Sequence, residues 1–134
     1  MIVVDTNVVA YLVIGGDHQA AARTALRRDS GWCAPLLWRS EFRSVLAGRL
    51  RRGACAVADA TTVMAQATEL LDGAEFQVDT RRVLDLVAAS TCSAYDCEFV
   101  ALAQELGIPL VTSDAQVLNE FPDTAVALRS FGAA

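Results

Sequence analysis

The sequence predicts an α/β protein, a three-layer α/β/α sandwich with a mostly parallel central sheet, formed by a single domain over residues 1–134. Three observations indicate this class. Short β-branched or apolar runs alternate with amphipathic segments of helical length along the chain. Several of these runs are apolar throughout, which is typical of strands covered on both faces. Finally, 134 residues that are 54% hydrophobic can bury one core and leave no room for a second.

The first half of the chain contains two predicted strands and four predicted helices. A strand at residues 2–4 stops at Asp5, and Asp17 follows a Gly-Gly turn where it can cap a helix. A second strand at residues 32–34 is ended by Pro35. The predicted helices cover residues 6–14, 20–28, 36–50 and 56–71, and the third of them ends in an Arg-rich turn followed by Gly53.

The second half continues the alternation of strands and helices. A strand is predicted at residues 74–78, and Asp79 caps a helix at 80–89. Ser93 caps the next helix, which Gly107 closes. A buried strand at 109–112, a short helix at 115–120 and a last strand at 125–128 complete the predicted order.

The charge balance excludes several mechanisms. The formal net charge is −5, and all eleven basic residues are Arg. Without any Lys, the chain has no Lys nucleophile, no Schiff base and no phosphate-loop Lys. The single His18 follows a Gly-Gly turn, which indicates a solvated loop residue rather than a zinc ligand or a member of a Ser-His-Asp triad.

Cysteine usage and hydropathy indicate a reducing compartment. The four cysteines show no C-x-x-C spacing and lie among apolar residues, which predicts buried thiols. The apolar run at residues 8–14 is too short to span a bilayer, and Asp5 interrupts the segment where a signal peptide would lie. We therefore expect no membrane association and a cytoplasmic location.

Two aspartates directly follow predicted strands. Asp5 comes after the strand at residues 2–4, and Asp114 comes after the strand at 109–112. Each also precedes a helix, so a role as helix N-cap is sufficient to explain either one alone. In open parallel sheets, however, ligands gather at the carboxyl ends of strands where the strand order reverses. If these two strands are neighbours, the two aspartates face one crevice.

Glu41 borders the apolar stripe of the helix predicted at residues 36–50. That stripe consists of Trp38, Phe42, Val45 and Leu46. An unpaired carboxylate beside it is costly unless Arg39, Arg43 or its own flexible stem relieves it. Arg residues two positions away point to other sides of a helix, so we favour a functional role for Glu41.

Asp96 has a structural and a functional interpretation. The spacing Ser93-x-x-Asp96 is that of a helix capping box, and an acid in the first turn suits the helix dipole. Asp96 also shares its helix face with Phe99, Val100 and Ala103, which are expected to point into the core. The two interpretations are compatible.

Convergence of these four carboxylates would create a cation site. Like charges within a few ångströms raise one another's pKa unless something neutralises them. A ligand set of oxygen atoms alone suits Mg²⁺ or Mn²⁺. Such an ion presents positive charge to a phosphodiester, which an acidic protein otherwise repels, and it activates water. The predicted chemistry is therefore phosphodiester hydrolysis.

Four segments resemble, in order, the motifs of the PIN domain and, within it, of the VapC-like ribonuclease toxins. They are VVDTN at residues 3–7, WRSEF at 38–42, SAYDCEFVALA at 93–103 and LVTSD at 110–114. Each motif is weak alone, but four in order across essentially the whole chain are specific. The resemblance implies a parallel-sheet α/β/α sandwich and a Mg²⁺- or Mn²⁺-dependent endoribonuclease. It further implies that metal or water is positioned by Asp5, Glu41, Asp96 and Asp114.

The resemblance also implies supporting residues. Asn7 and Thr112 occupy positions whose polar side chains help to hold the acidic cluster, and both equally suit local turn hydrogen bonds. Thr6 is interpreted as a cap of the first helix. Glu98 lies on a different helical face from Asp96 and is left outside the predicted site.

RNA and protein partners follow from the same resemblance. It implies a cognate antitoxin whose C-terminal segment wraps the toxin and inserts a basic side chain into the acidic pocket, and it implies a homodimer. The RNA backbone needs cationic contacts, and the candidates are Arg39, Arg43, Arg49, Arg51 and Arg52. Solvation of the helix end and complementarity to its dipole explain these arginines equally well.

Three other interpretations compete with this one. A receiver domain needs a Lys after its last strand, and the chain has none. A haloacid-dehalogenase-like phosphatase has D-x-D after its first strand, whereas Asp5 is followed by Thr6 and Asn7. A non-catalytic PIN-like module that binds RNA or protein stays open as the alternative, because only measured turnover separates it from an enzyme.

Overall fold

The computed structural model describes residues 1–133, with side chains through Phe131. Within this range the chain forms five strands and eight helices. In order they are β1 (Ile2–Val4), α1 (Thr6–Ile14), α2 (Gln19–Arg28), β2 (Trp32–Pro35), α3 (Trp38–Arg51), α4 (Val57–Leu70), β3 (Glu75–Phe76), α5 (Thr80–Ala88), α6 (Ala94–Leu106), β4 (Leu110–Thr112), α7 (Ala115–Glu120), β5 (Ala125–Ala127) and α8 (Leu128–Ala133). The alternation of strands and helices that the sequence predicts is confirmed.

The five strands form one parallel sheet in the order β3-β2-β1-β4-β5. In the centre, Val3 of β1 pairs with Cys33 on one side and with Leu110 on the other. The chain builds the sheet outward through β2 and β3, then returns to place β4 and β5 on the opposite side of β1. The strand order therefore reverses between β1 and β4, which is where open parallel sheets bind their ligands.

Helices cover both faces of this sheet. Parallel crossovers are right-handed, so α1–α4 lie on one face and α5–α7 on the other. The packing agrees, since α6 contacts β1, β2 and β4, while α8 packs against α2 and joins the first layer. The α/β/α sandwich is confirmed.

The core lies between the sheet and its two helical layers. All three residues of β1 are buried, as the uninterrupted apolar run predicts. In α3 the buried residues are Trp38, Phe42 and Leu46, spaced four apart along one helix face. The rings of Trp38 and Phe42 meet edge to face at 5.8 Å between centroids. This buried face packs α3 among its neighbours α1 and α4 and fixes the direction in which the polar residues beside it point.

Two sequence predictions at the helix termini are wrong. Asp17 does not cap α2, because the helix begins at Gln19 with His18 at the N-cap and no capping side chain. Instead, the side-chain amide of Gln19 donates to the carbonyl of Leu12 at 3.0 Å and ties the start of α2 to α1. Leu128 likewise does not extend β5; it begins α8, which was not predicted.

The strand predicted at residues 74–78 is shorter than expected. Only Glu75–Phe76 forms β3, because β2 is its one neighbour in the described sheet and ends at Pro35, paired with Phe76. At the other end of the chain, α8 is held by Phe131, whose ring lies 4.3 Å from the guanidinium of Arg28. These ends are set by packing partners that the local sequence does not reveal.

The cysteines are free thiols, as predicted, and three of the four are buried. Burial raises the pKa of Cys33 to about 11 and that of Cys92 to about 12, so these thiols are poor nucleophiles. Among the helices that the structure describes, none combines the length and apolar character needed to cross a membrane.

Candidate functional site

A cavity of about 410 Å³ opens at the crevice between the ends of β1 and β4. Four carboxylates line it, and they are Asp5, Glu41, Asp96 and Asp114. The two aspartates that follow β1 and β4 come together because these strands are neighbours. Helices α3 and α6 contribute the other two acids. The structure therefore brings all four predicted carboxylates to one cavity.

Asp5 is fixed through both of its carboxylate oxygens. Oδ1 accepts from the backbone N–H of Val8 at 2.9 Å and so caps α1, while Oδ2 accepts from the hydroxyl of Thr112. Burial raises the pKa of Asp5, these hydrogen bonds oppose the shift, and the charge of Asp114 adds to it. Asp5 is both a helix cap and a cavity-lining acid, so the two interpretations from sequence hold together.

The Thr112 hydroxyl joins the two strand ends. It donates to Asp5 Oδ2 and accepts from the backbone N–H of Asp114 at 3.0 Å. Asp114 in turn caps α7, because its Oδ1 accepts from the backbone N–H of Val117 at 3.0 Å. Thr112 is only 1% exposed, so no water competes for its hydroxyl. One buried side chain therefore sets the positions of two acids.

Glu41 is held by Thr6, a residue whose role the sequence did not reveal. The Thr6 hydroxyl donates to Glu41 Oε1 at 2.7 Å, and Thr6 is not a cap, since Asp5 occupies that position. Burial is the main cause that raises the pKa of Glu41, and the charges of Asp96, Asp5 and Glu98 contribute further. The Thr6 hydrogen bond opposes the shift. Glu41 is thus a carboxylate destabilised by its surroundings.

Arginine does not neutralise Glu41. Arg39 lies two positions away and instead forms an ion pair with Glu75, with its Nε 2.8 Å and its Nη2 2.9 Å from the two carboxylate oxygens. Among the described residues, no Arg or His side chain lines the acidic cavity. The interpretation that arginines near Glu41 point elsewhere is therefore right, and the cavity carries uncompensated negative charge.

Asp96 lies in the first turn of α6, where the Ser93 hydroxyl accepts from its backbone N–H at 3.0 Å. This is the N-cap predicted for Ser93, and it leaves the Asp96 side chain on the cavity wall. Asn7 also lines the cavity, at the exposed start of α1. Ser44, which the sequence did not single out, joins them because it lies three residues after Glu41 on the same helix face.

The donor set suits a hard divalent cation. Every ionisable group on the cavity wall is a carboxylate, and hydroxyl and amide oxygens accompany these acids. In the described part of the chain, no three His, Cys, Asp or Glu side chains are grouped closely enough to enclose an ion by themselves. Mg²⁺ commonly retains several waters and binds through one or two carboxylates, so a hydrated ion fits this wider arrangement.

The sequence of this chain matches a known protein family. A family model described as PIN domain matches residues 2–125. This chain belongs to the PIN domain family. No curated protein matches the sequence significantly.

Solved structures share the fold of this PIN domain at low sequence identity. PAE2754 from Pyrobaculum aerophilum superimposes with a TM-score of 0.79 at 17% identity, covering 98% of this chain and 93% of the other. A toxin-antitoxin complex from Klebsiella pneumoniae gives a TM-score of 0.71 at 17% identity, covering 96% and 98%. FitAcB from Neisseria gonorrhoeae gives 0.63 at 18% identity, covering 95% and 96%.

The predicted RNA-contacting arginines lie outside the acidic cavity of this PIN domain. Arg39 is held by Glu75, and Arg43 lines an apolar groove between α3 and α4. Arg49 lines a smaller cavity near the start of α4, while Arg51 and Arg52 are exposed at the end of α3. Arg49, Arg51 and Arg52 form the Arg-rich end of α3, the helix that carries Glu41.

Because their pKa values are raised, Asp5 and Glu41 should each contribute less to the stability of the metal-free PIN domain as pH rises. In the unfolded chain these groups lose their protons near 3.8 and 4.5, whereas the folded protein keeps them to higher pH. Across the interval above those values these two groups bind more protons in the folded state than in the unfolded chain, so their contribution to the free energy of unfolding decreases. Glu41→Gln removes the effect of Glu41 on the pH dependence and keeps a side-chain oxygen that can accept from Thr6. The difference in free energy of unfolding between Glu41→Gln and the wild type should therefore grow, in favour of the variant, as pH rises.

Urea unfolding in EDTA at a series of pH values measures this difference. Glu105→Gln, an exposed acid elsewhere on α6, is the matched control and should leave the pH profile unchanged. A Glu41→Gln advantage that stays constant with pH would contradict the assignment of a raised pKa.

Proposed function

We propose that this PIN domain is a Mg²⁺- or Mn²⁺-dependent endoribonuclease that hydrolyses RNA phosphodiester bonds. The observation that carries the proposal is one cavity lined by Asp5, Glu41, Asp96 and Asp114 with no basic side chain on its described wall. Two of these acids have raised pKa values, so their ionised forms are unfavourable in the protein alone. Binding of a divalent cation removes that cost and gives the charge cluster a function.

The four carboxylates would together bind the ion and its water molecules. When bound, the ion supplies positive charge to a phosphodiester and lowers the pKa of a water molecule. Asp5 and Asp114 sit at the strand ends, fixed by Thr112 and by the helices that they cap. Glu41 is held at Oε1 by Thr6, so its second oxygen, Oε2, is the atom that can orient water or accept a proton.

The substrate chain needs contacts beyond the acidic cavity. The cavity itself repels phosphates, and the Arg-rich end of α3 offers positive charge on the helix that carries Glu41. Arg49, Arg51 and Arg52 are the arginines we assign to backbone contacts; Arg43 lies about two turns closer to Glu41 on the same helix. Arg39 would reach RNA only by giving up its ion pair with Glu75.

We further propose that the protein is the toxin of a VapBC-like toxin–antitoxin pair, acting as a homodimer in the cytoplasm. The family, and the occurrence of this fold in a toxin-antitoxin complex, support this assignment. A cognate antitoxin would insert a basic side chain among the four carboxylates, which their charge favours. The apolar groove between α3 and α4, about 710 Å³ and lined by Leu50, Val57 and Met64, suits the apolar face of a partner helix.

Metal removal tests the proposal directly. Purified protein incubated with total RNA should cleave it in Mg²⁺ or Mn²⁺, stop in EDTA, and resume when the ion is restored in excess. Calorimetry of Mn²⁺ binding should show an affinity about tenfold lower in Glu41→Gln than in the wild type. The matched control, Glu105→Gln, should bind Mn²⁺ like the wild type.

Two outcomes of this test oppose the proposal. Cleavage that persists in EDTA would contradict metal dependence. RNA that binds without being cleaved, at any concentration of either ion, would favour the non-catalytic binding module instead.

A further inference from the structure

A second cavity lies beside the acidic one along the same edge of the sheet. Its volume is about 350 Å³. Leu36 follows β2 and Phe76 ends β3, and both line it, so it opens where β2 and β3 end. The acidic cavity opens where β1 and β4 end. Because β2 is the neighbour of β1 in the sheet, the two cavities open at adjacent strand ends.

Helix α6 connects the two cavities. Its first turn places Asp96 on the wall of the acidic cavity, and two residues later Glu98 lies on the wall of the second one. The charge of Glu98 reaches Glu41, where it contributes to the raised pKa of that carboxyl. A strand of RNA that crosses the acidic cavity therefore passes within reach of Glu98.

The walls of the second cavity combine apolar and hydrogen-bonding groups. Leu36 and Leu84 are 44% and 56% exposed, and they line the cavity together with Phe76. Gln77 and Glu98 add an amide and a carboxylate. Apolar walls suit the faces of a flat heterocycle, and convergent polar groups suit its edge.

We infer that this second cavity binds a base of the RNA strand next to the scissile phosphodiester, and that Glu98 selects bases carrying an amino group. The inference rests on the proposed ribonuclease function. An ionised carboxylate only accepts hydrogen bonds. Cytosine N4, adenine N6 and guanine N2 each offer a donor to it. In uracil, by contrast, the single N–H of the pairing edge is flanked by two carbonyl oxygens, which repel a carboxylate.

Cleavage of defined oligonucleotides tests this inference. The substrates are single-stranded RNAs that differ at one position beside the cleaved bond, with cytosine or uracil there, incubated with wild type and Glu98→Gln in Mn²⁺. Wild type should prefer cytosine in kcat/KM. Glu98→Gln should reduce that preference about tenfold, because glutamine can donate to a carbonyl as well as accept. Glu105→Gln, on the same helix but outside both cavities, should keep the wild-type preference.

A second variant tests the apolar wall. Leu84→Ser alters an exposed side chain, so the fold should be retained; it should raise KM about threefold and leave kcat unchanged. If the wild type cleaves but Glu98→Gln keeps the same preference, the base-binding role is overturned while the ribonuclease function stands. If the wild type cleaves none of the oligonucleotides in either ion, both proposals fail.

Discussion

Asp5→Asn is expected to lower the rate of RNA cleavage by at least about a hundredfold and to raise the free energy of unfolding at neutral pH. Activity falls because Asp5, which directly follows β1, lines the cavity together with the other three acids. Stability rises because burial disfavours the ionised carboxylate, and the neutral amide avoids that cost. An asparagine also keeps the cap of α1, since its side-chain oxygen can accept from Val8, and its NH2 group can donate to the second lone pair of the Thr112 hydroxyl.

The two readouts together distinguish chemistry from folding. Cleavage is measured by gel with Mn²⁺ in excess, and stability by urea unfolding in EDTA. Asp59→Asn is the matched control: Asp59 accepts from the backbone N–H of Ala56 at the start of α4, outside the acidic cavity. It should leave cleavage at the wild-type rate. A fully active Asp5→Asn protein would remove Asp5 from the site.

Thr112→Val is expected to lower both stability and activity. Valine has nearly the same shape, but it leaves the backbone N–H of Asp114 and one oxygen of Asp5 without the hydroxyl that joins them. Loss of buried partners of this kind costs about 1–3 kcal/mol in the free energy of unfolding. Cleavage should fall at least about tenfold, because two acids lose their common support.

Thr112→Ser provides the control, since it keeps the hydroxyl and removes only a methyl group. It should recover most of the activity. If Thr112→Val and Thr112→Ser lower cleavage equally, the hydroxyl does not position the acids, and Thr112 serves packing alone.

Much of the fold was predictable because its strands are short, apolar and bounded by turns or helix caps. The sequence predicts the caps at Asp79 and Ser93 correctly, since each side chain accepts from the backbone three residues later. It does not predict the start of α2, because Gln19 is tied to α1 by a hydrogen bond to Leu12 that no local pattern signals. It does not predict α8 either, because the position of that helix depends on α2 and Arg28.

The sequence indicates the acids of the candidate site more clearly than the residues that hold those acids in place. Asp5 and Asp114 follow strands, and Glu41 and Asp96 lie beside apolar helix faces, so each carries a local signal. Thr6 carries none, because its bond to Glu41 spans 35 residues and depends on how α3 packs. The neighbouring cavity with Glu98 was equally hidden, since it exists only once β2 and β3 lie next to each other.

The hydrogen bond between Thr112 and Asp5 joins residues 107 positions apart, across the two central strands. During synthesis on the ribosome, a chain that stops before β4 therefore contains Asp5 but lacks Thr112, which holds Asp5 in place, and Asp114, which lines the same cavity. Such a nascent chain cannot assemble the acidic cavity. Any activity housed there arises only after β4 has been synthesised and has paired with β1, so fragments that stop before β4 would lack it.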